Sequence, residues 1–346
     1  MALPLTPPIE PMLALPQDDI PSGEGWVYEP KWDGFRAVVF KDGGDVYLNS
    51  RKGQPLQRYF PELVETFRAR LPERCIVDGE IILAGKRGLE FDTLQLRLHP
   101  AASRVNKLAK EMPASFVAFD LLALGEEDLR GAPFRERRRK LESLVQSDAA
   151  LFLTPQTLNH EEAARWFARF EGAGLDGVIA KRADGPYTPG ERTMVKVKHA
   201  RTADCVVGGY REAKGGGAVG SLLLGLYDEG GVLHHVGHTS SFKAKEKKEL
   251  LAKLRPLEGK KSFGEGRTPG APSRWSSGKE LAWTAVEPTL VCEVAFDYMQ
   301  GDRFRHGATF LRWREDKAPR ACTYDQLAPP NPFSLQAIIE LSARGR

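Results

Sequence analysis

The chain changes texture near residue 200. Before it, apolar positions recur at every second residue in some stretches and at helical spacing in others; beyond it, short alternating runs succeed one another between glycine-rich turns. Residues 35–41 and 45–49 predict a hairpin across Asp42-Gly43-Gly44, and residues 75–83 and 116–122 predict two further strands. Asn159, with Glu162 three positions on, predicts a helix start, after which Ala163, Trp166, Phe167 and Phe170 repeat along one face. Aromatics so spaced belong in a core rather than under a stacked base. Gly172 and Gly174 stop that helix, and residues 177–181 resume as a strand. The later half predicts strands at 205–210, 222–227, 232–237, 290–296 and 309–313, a succession that suits a small barrel. Residues 243–248 open an amphipathic helix carrying Leu250, Leu251 and Leu254, and the Gly-, Ser-, Pro- and Lys/Arg-rich stretch 256–279 reads as a long loop.

Composition narrows the class. With 346 residues the chain can bury two cores, and 41% hydrophobic with 28% charged residues is the balance of an ordinary globular protein. No apolar run approaches the ~18 residues of a membrane span. Pro4, Pro7, Pro8 and Pro11 break the N-terminal apolar stretches, so no secretory signal is expected and a cytoplasmic location is. Cys75, Cys205, Cys292 and Cys322 lie far apart and are expected as buried, reduced thiols, with no spacing for a zinc finger. A net charge of +4 is compatible with a polyanionic partner without demonstrating one. Two local clusters, residues 135–140 and 243–248, read either as solvated helix faces or as phosphate contacts.

Candidate chemistry begins at Glu29-Pro30-Lys31-Trp32-Asp33-Gly34, which sets Lys31 between an acidic residue and an Asp-Gly step. A lone Lys-x-Asp-Gly is weak evidence, since Asp-Gly more often closes a hairpin. As a nucleophile toward phosphorus Lys31 must lose its proton, although an ordinary lysine has a pKa near ~10.4. Neighbouring cations favour that loss, and Lys196 and Lys198 are the candidates, expected on opposite faces of one strand with one of them at the α-phosphate. Asp78, Glu80 and Asp176 are the candidate carboxylates for Mg²⁺, because phosphoryl transfer gathers negative charge.

The order is more specific than any one motif. Lys31-Trp32-Asp33-Gly34, Ser50-Arg51, Val77-Asp78-Gly79-Glu80, Phe119-Asp120-Leu121, Asp176-Gly177-Val178-Ile179-Ala180-Lys181, Lys196-Val197-Lys198 and finally the segment from Arg312 to Lys317 follow one another along the chain. The series resembles the covalent nucleotidyltransferase superfamily of DNA ligases, RNA ligases and mRNA capping enzymes. Pro-Pro-Ile-Glu-Pro-Met-Leu-Ala, Ser-Arg-Lys-Gly, Phe-Pro-Glu-Leu and His-Pro-Ala-Ala-Ser-Arg narrow it, over nearly the whole chain, to a resemblance to stand-alone bacterial ATP-dependent DNA ligases of the C type.

That resemblance implies an α+β chain: a nucleotidyltransferase (ATP-grasp-like adenylation) domain over 1–200 and a β-barrel OB-fold domain over 201–346, hinged near 199–203. It implies that Lys31 takes AMP from ATP, with Mg²⁺ or Mn²⁺, and passes it to the 5′-phosphate of a nick for displacement by the 3′-hydroxyl. It further places Phe119 against the adenine, Glu29 at the purine edge, Arg36 and Arg51 on ribose and nick phosphate, and Glu80 near the ribose or metal. Asp33 would help order the sugar or the 3′ end, and Arg312 and Lys317 would orient the leaving pyrophosphate from the second domain. Asp176 stands where many ligases carry glutamate, which shortens its reach to a metal. The implied partners are nicked double-stranded DNA and repair polymerases, for a monomer in the bacterial cytoplasm at the nucleoid, without membrane association.

A capping guanylyltransferase would load GMP on the same lysine, and an RNA ligase would prefer RNA ends; the long second domain argues against ligases that lack an OB-fold. A single-strand binder with a decayed nucleotide domain is opposed by the intact Lys31, Glu80, Lys196 and Lys198. The chain leaves no room for the large extra DNA-binding domain of bigger ligases, which shifts duplex contact onto loops, and the cations Lys260, Lys261, Arg267 and Arg274 are the candidates. Reversing their charge is expected to weaken binding of nicked DNA and flatten its salt dependence in a titration series; unchanged binding would exclude the loop.

Overall fold

The computed structural model describes residues 3–85, 88–259, 261–264, 269, 282–327 and 331–344, with the backbone alone at 342–344. Lys260, Arg267 and Arg274 lie outside the described residues. The chain divides into two compact units, residues 1–199 with 329–346, and residues 200–328. The C-terminal segment, expected in the second domain, therefore counts with the first: Leu335 and Ile338 of the helix Leu335–Arg344 are buried with Trp32, Phe152, Trp166 and Phe170. An apolar helical face needs a partner, and the aromatic face of His160–Phe170 provides it.

Two main sheets build the first unit, beside a two-stranded ribbon of Ala84–Gly85 and Gly88–Leu89. The larger runs in the order Leu151–Leu153, Ser115–Leu124, Arg74–Ile82, Phe35–Asp42, Asp45–Ser50, and Glu127–Asp128 adds to Ser115–Leu124. Its hairpin is the expected one: Asp42 pairs with Asp45, and Gly43, at φ +58°, takes the left-handed turn position. The smaller sheet runs Leu13–Gln17, Arg192–Lys198, Gly177–Arg182, Trp26–Pro30, with only the first pair parallel.

Side-chain alternation assigns each sheet two environments. Ala37, Val39, Cys75, Val77 and Ile81 of the larger sheet pack with Leu63 and Phe67 of the helix Pro61–Arg70 and Leu141 of Phe134–Leu144. The intervening Val38, Phe40 and Ile76 meet Ile179 and Met194 of the smaller sheet. On that sheet's far side Tyr28, Val178, Ala180, Val195 and Val197 pack with Ala163 and Phe167 of His160–Phe170. Asn159 caps that helix as expected, its Oδ1 accepting from the amides of Glu161 and Glu162. The two sheets thus face each other across one layer.

The basic run 135–140 departs from both expectations. On Phe134–Leu144 the buried stripe is Phe134, Arg137, Arg138 and Leu141, so helical spacing turns two of its arginines inward. Arg137 donates to both oxygens of Asp120, at 2.8 and 2.9 Å, and to the carbonyls of Ala132 and Gly185. Only a matched carboxylate makes such burial tolerable.

The second unit is antiparallel, in the order Leu233–Thr239, Val219–Tyr227, Arg201–Glu212, Val291–Phe296, Thr309–Trp313, with Thr284–Ala285 added to Arg201–Glu212. Its core takes Leu250, Leu251 and Leu254 from the helix Ala244–Leu254, and Cys205, Cys292 and Cys322 are free thiols within it. A single parallel bridge, Thr239 to Ala308, joins the margins of the sheet; closure into a barrel is not shown. No helix among the described residues is long and apolar enough to cross a membrane.

Arg137→Ala strands the Asp120 carboxylate, which is 1% exposed, and is expected to cost about 3–5 kcal/mol in urea unfolding. A loss under about 1 kcal/mol would mean that Asp120 finds another partner.

Candidate active site

Lys31 follows the strand Trp26–Pro30, and its main chain is fixed from both sides. Its amide donates to Gly177 O at 2.9 Å, and its carbonyl accepts from the amide of Asp176 at 3.0 Å. Gly177 sits at φ +137°, where a Cβ would stand 2.0 Å from Val197 O, so only glycine lets the neighbouring strand approach this closely. The Asp33-Gly34 step leads from one sheet to the other, and a Cβ on Gly34 would lie 2.1 Å from Ile81 O. Neither Asp-Gly step closes a hairpin; both are points of close backbone approach. The outcome is that Lys31 Nζ lies 2.6 Å from Asp176 Oδ2, and Lys198 Nζ lies 3.0 Å from the same oxygen. Burial alone would raise the Asp176 pKa, but the charges and hydrogen bonds of Lys31 and Lys198 outweigh it and hold the carboxyl below its ordinary value.

Lys196 and Lys198 share a face, contrary to the expectation of opposite ones. Positions two apart repeat the same side of a strand. Val195 and Val197 occupy the other side against His160–Phe170, which leaves Met194, Lys196 and Lys198 toward the larger sheet. Burial and the nearby charges of Lys198, Lys31, Arg51 and Arg192 depress the Lys196 pKa. Arg51 itself is exposed.

The larger sheet presents Arg36, Asp78 and Glu80 to the same layer. Asp78 is completely buried, and both its oxygens are engaged: Arg36 Nε and Nη2 donate to Oδ1 and Oδ2, each at 2.6 Å, and the Tyr187 hydroxyl donates to Oδ2 at 2.6 Å. Asp78, expected among the metal ligands, thus anchors Arg36 and Tyr187 in this structure. No group of three His, Cys, Asp or Glu side chains gathers for a metal among the described residues. Glu80 and Asp176, which both act on Lys31, remain as a pair, and Mg²⁺ is characteristically held by one or two carboxylates plus substrate phosphates. The donor set therefore fits a metal that arrives with a nucleotide, and does not fit a closed protein cage. Withdrawal from water pushes the Glu80 carboxyl up to about 7 despite Arg36 and Lys31, with the charges of Asp33 and Asp78 adding to the rise.

Phe119 is buried beside two cations. Arg36 Cζ is 4.4 Å and Lys181 Nζ 4.8 Å from its ring centroid. Lys181 also reaches Glu29 Oε2 at 2.8 Å; Glu29 is 3% exposed, and its Oε1 accepts no hydrogen bond. Glu29, Lys31, Asp33, Arg36, Glu80, Phe119, Asp176, Lys196 and Lys198 all belong to the first unit, whereas Arg312 and Lys317 belong to the second. There Arg312 pairs with Glu293 at 2.6 Å and Lys317 with Asp204 at 3.4 Å. Sequence reasoning gave no role to Lys181 or Tyr187, and placed Arg138 only within the basic run 135–140. Lys181 ends the Asp-Gly-Val-Ile-Ala-Lys run at the spacing that faces it inward with Ile179; Tyr187, in a loop, carried no such signal.

A model of the ATP dependent DNA ligase domain matches residues 11–198, and one of the ATP dependent DNA ligase C terminal region matches residues 215–317. The chain is 50% identical over 350 residues to DNA ligase C1 of Mycolicibacterium smegmatis, covering 98% of this chain and 99% of that one. It is also 50% identical over 358 residues to DNA ligase C of Mycobacterium tuberculosis, again 98% and 99% covered. A solved Lig E DNA ligase, described as binding DNA with a minimal scaffold, shares the fold at TM-score 0.54 and 21% identity, with 88% of this chain and 99% of that one covered.

A raised carboxyl pKa makes the folded state bind its proton more tightly than the unfolded chain, so Glu80 lowers stability progressively as pH rises from the ordinary value of 4.5 to about 7. Glu80→Gln is expected to remove this slope, gaining on wild type between pH 5 and 8 by about 2–3 kcal/mol in urea melts. Parallel curves would place Glu80 in water.

Proposed function

The chain belongs to the family of ATP-dependent DNA ligases, and we propose that it seals nicks in duplex DNA through a covalent AMP adduct on Lys31. One observation carries the reading: Lys31 and Lys198 share a single oxygen of Asp176. Attack requires Lys31 to shed its proton and leave Asp176. Lys198, 3.0 Å from the same oxygen, keeps that buried carboxylate paired while Lys31 turns to the phosphorus. A bond then forms between Nζ and the α-phosphorus as the bond to pyrophosphate breaks. In the second step an oxygen of the nick's 5′-phosphate displaces Lys31, and in the third the 3′-hydroxyl displaces AMP.

The other side chains position and neutralise. Lys196 and Lys198 lie along the phosphates, Phe119 against the base, and Arg36, held flat by Asp78, at the ribose or the nick phosphate with Arg51. Asp33 orders the sugar or 3′ end. Asp176 and Glu80 would hold Mg²⁺ with the phosphate oxygens, where it offsets charge on the transferring group. The second unit acts as an OB barrel, a reading favoured where the Ala308 amide donates to His238 O at 2.8 Å between its outer strands. It brings Arg312 and Lys317 to the departing pyrophosphate. The enzyme serves DNA repair as a cytoplasmic monomer at the nucleoid, handing on from repair polymerases.

Incubation with α-labelled ATP and Mg²⁺ is expected to label wild type but not Lys31→Ala on a denaturing gel, and nicked DNA should chase the label into sealed product. Label from GTP alone would point to capping chemistry, and absence of label from active protein would point to a binding module.

A further inference from the structure

We infer that Arg138, a residue of the buried helix face rather than of the nucleotide cleft, sets the preference for adenine by positioning Glu29; this rests on the reading of Glu29 as the purine-edge carboxylate. Arg138 is 3% exposed, and two of its three nitrogens are fixed: Nε donates to Glu142 Oε1 at 2.8 Å and Nη2 to Thr154 O at 2.7 Å. The third, Nη1, faces Glu29 Oε1 at 3.8 Å, too far for a hydrogen bond. Both atoms are sealed from solvent, and neither has another hydrogen-bond partner. An acceptor and a donor left open and facing each other inside a protein are a costly arrangement.

Charge explains why it persists. Lys181 binds Glu29 Oε2 at 2.8 Å, and the Arg138 guanidinium holds Oε1 from the opposite element without saturating it. Glu29 is therefore held from both sides, with Oε1 facing a cation but taking no hydrogen bond. An ionised carboxylate only accepts. Adenine offers it an exocyclic amine, a donor; guanine offers a carbonyl oxygen at the same ring position, which the carboxylate repels. Discrimination of this kind depends on the acceptor being unable to swing away, because a mobile Glu29 could turn its charge from the guanine oxygen. Arg138 removes that freedom. It touches no substrate atom, and it acts through Glu29.

The test compares label transfer to Lys31 from α-labelled ATP and α-labelled GTP in full-length wild type, Glu29→Gln, Arg138→Lys, Arg138→Gln and Glu142→Gln. The expected result is that Arg138→Gln lowers the ATP-over-GTP ratio of kcat/KM by at least about tenfold, that Arg138→Lys keeps most of it, and that Glu142→Gln, which loosens the arginine but leaves its charge facing Glu29, changes the ratio little. A fall in total labelling with the ratio preserved in Arg138→Gln would overturn the inference and leave Arg138 a structural residue. If Glu29→Gln keeps the ratio, the purine-edge reading itself fails; if Glu29→Gln loses it and Arg138→Gln does not, the inference about Arg138 alone fails. Thermal melting of each variant separates these outcomes from misfolding, and Arg138→Lys keeps the comparison open should Arg138→Gln not fold.

Discussion

Two sheets facing each other across one layer impose a condition that the rest of the first unit obeys. A strand cannot choose its faces residue by residue; alternate positions all enter the shared layer. Where Val38, Phe40, Ile76, Ile179 and Met194 meet, the layer is an ordinary core. The same strands also carry Arg36, Asp78, Glu80, Lys181, Lys196 and Lys198, interleaved with those apolar positions: Val38 pairs with Asp78 and Ile179 with Lys196. Alternation thus places charged and apolar side chains in one layer, and the packed apolar ones fix the geometry of the charged ones.

Charges in such a layer must be matched, because desolvation of an isolated ion exceeds what packing returns. The matches are graded. Asp120 with Arg137, and Asp78 with Arg36 and Tyr187, are saturated and hold elements together. Asp176 is shared by two lysines, so that one can leave. Glu29 keeps one oxygen open. Saturated pairs give position, and unsaturated ones give chemistry.

Much of this was legible in the sequence, for reasons that particular residues make plain. The hairpin at Gly43, the capped helix from Asn159 and the strand at 177–182 follow from turn, capping and alternation signals that act locally. Each motif of the series sits at a strand end or within a strand, where spacing fixes the facing, and that spacing sets Lys196 and Lys198 on one face rather than on the opposite ones expected. What local signals could not give is which carboxylate meets which cation. Asp78 and Glu80 look equivalent in Val-Asp-Gly-Glu, yet Tyr187, 109 positions away from Asp78, joins Arg36 in binding Asp78. Likewise the run 135–140 counts as five cations by composition, while helix phase sorts two of them inward. The C-terminal helix joined the first unit because its apolar stripe found the aromatics of 160–170, a partner no composition shift announces.

Two groups in the cleft are displaced in opposite senses. Lys196 is pressed toward its neutral form by burial and by cations alone, while Glu80 is pressed toward its neutral form by burial against the pull of Arg36 and Lys31. Burial is the largest cause of both displacements, because withdrawal from water disfavours the charged form of either sign. For Lys196 the neighbouring cations add to it, whereas for Glu80 the cations Arg36 and Lys31 oppose it and the carboxylates Asp33 and Asp78 add to it. One layer thus shifts a lysine and a carboxylate in opposite directions by the same physical cause.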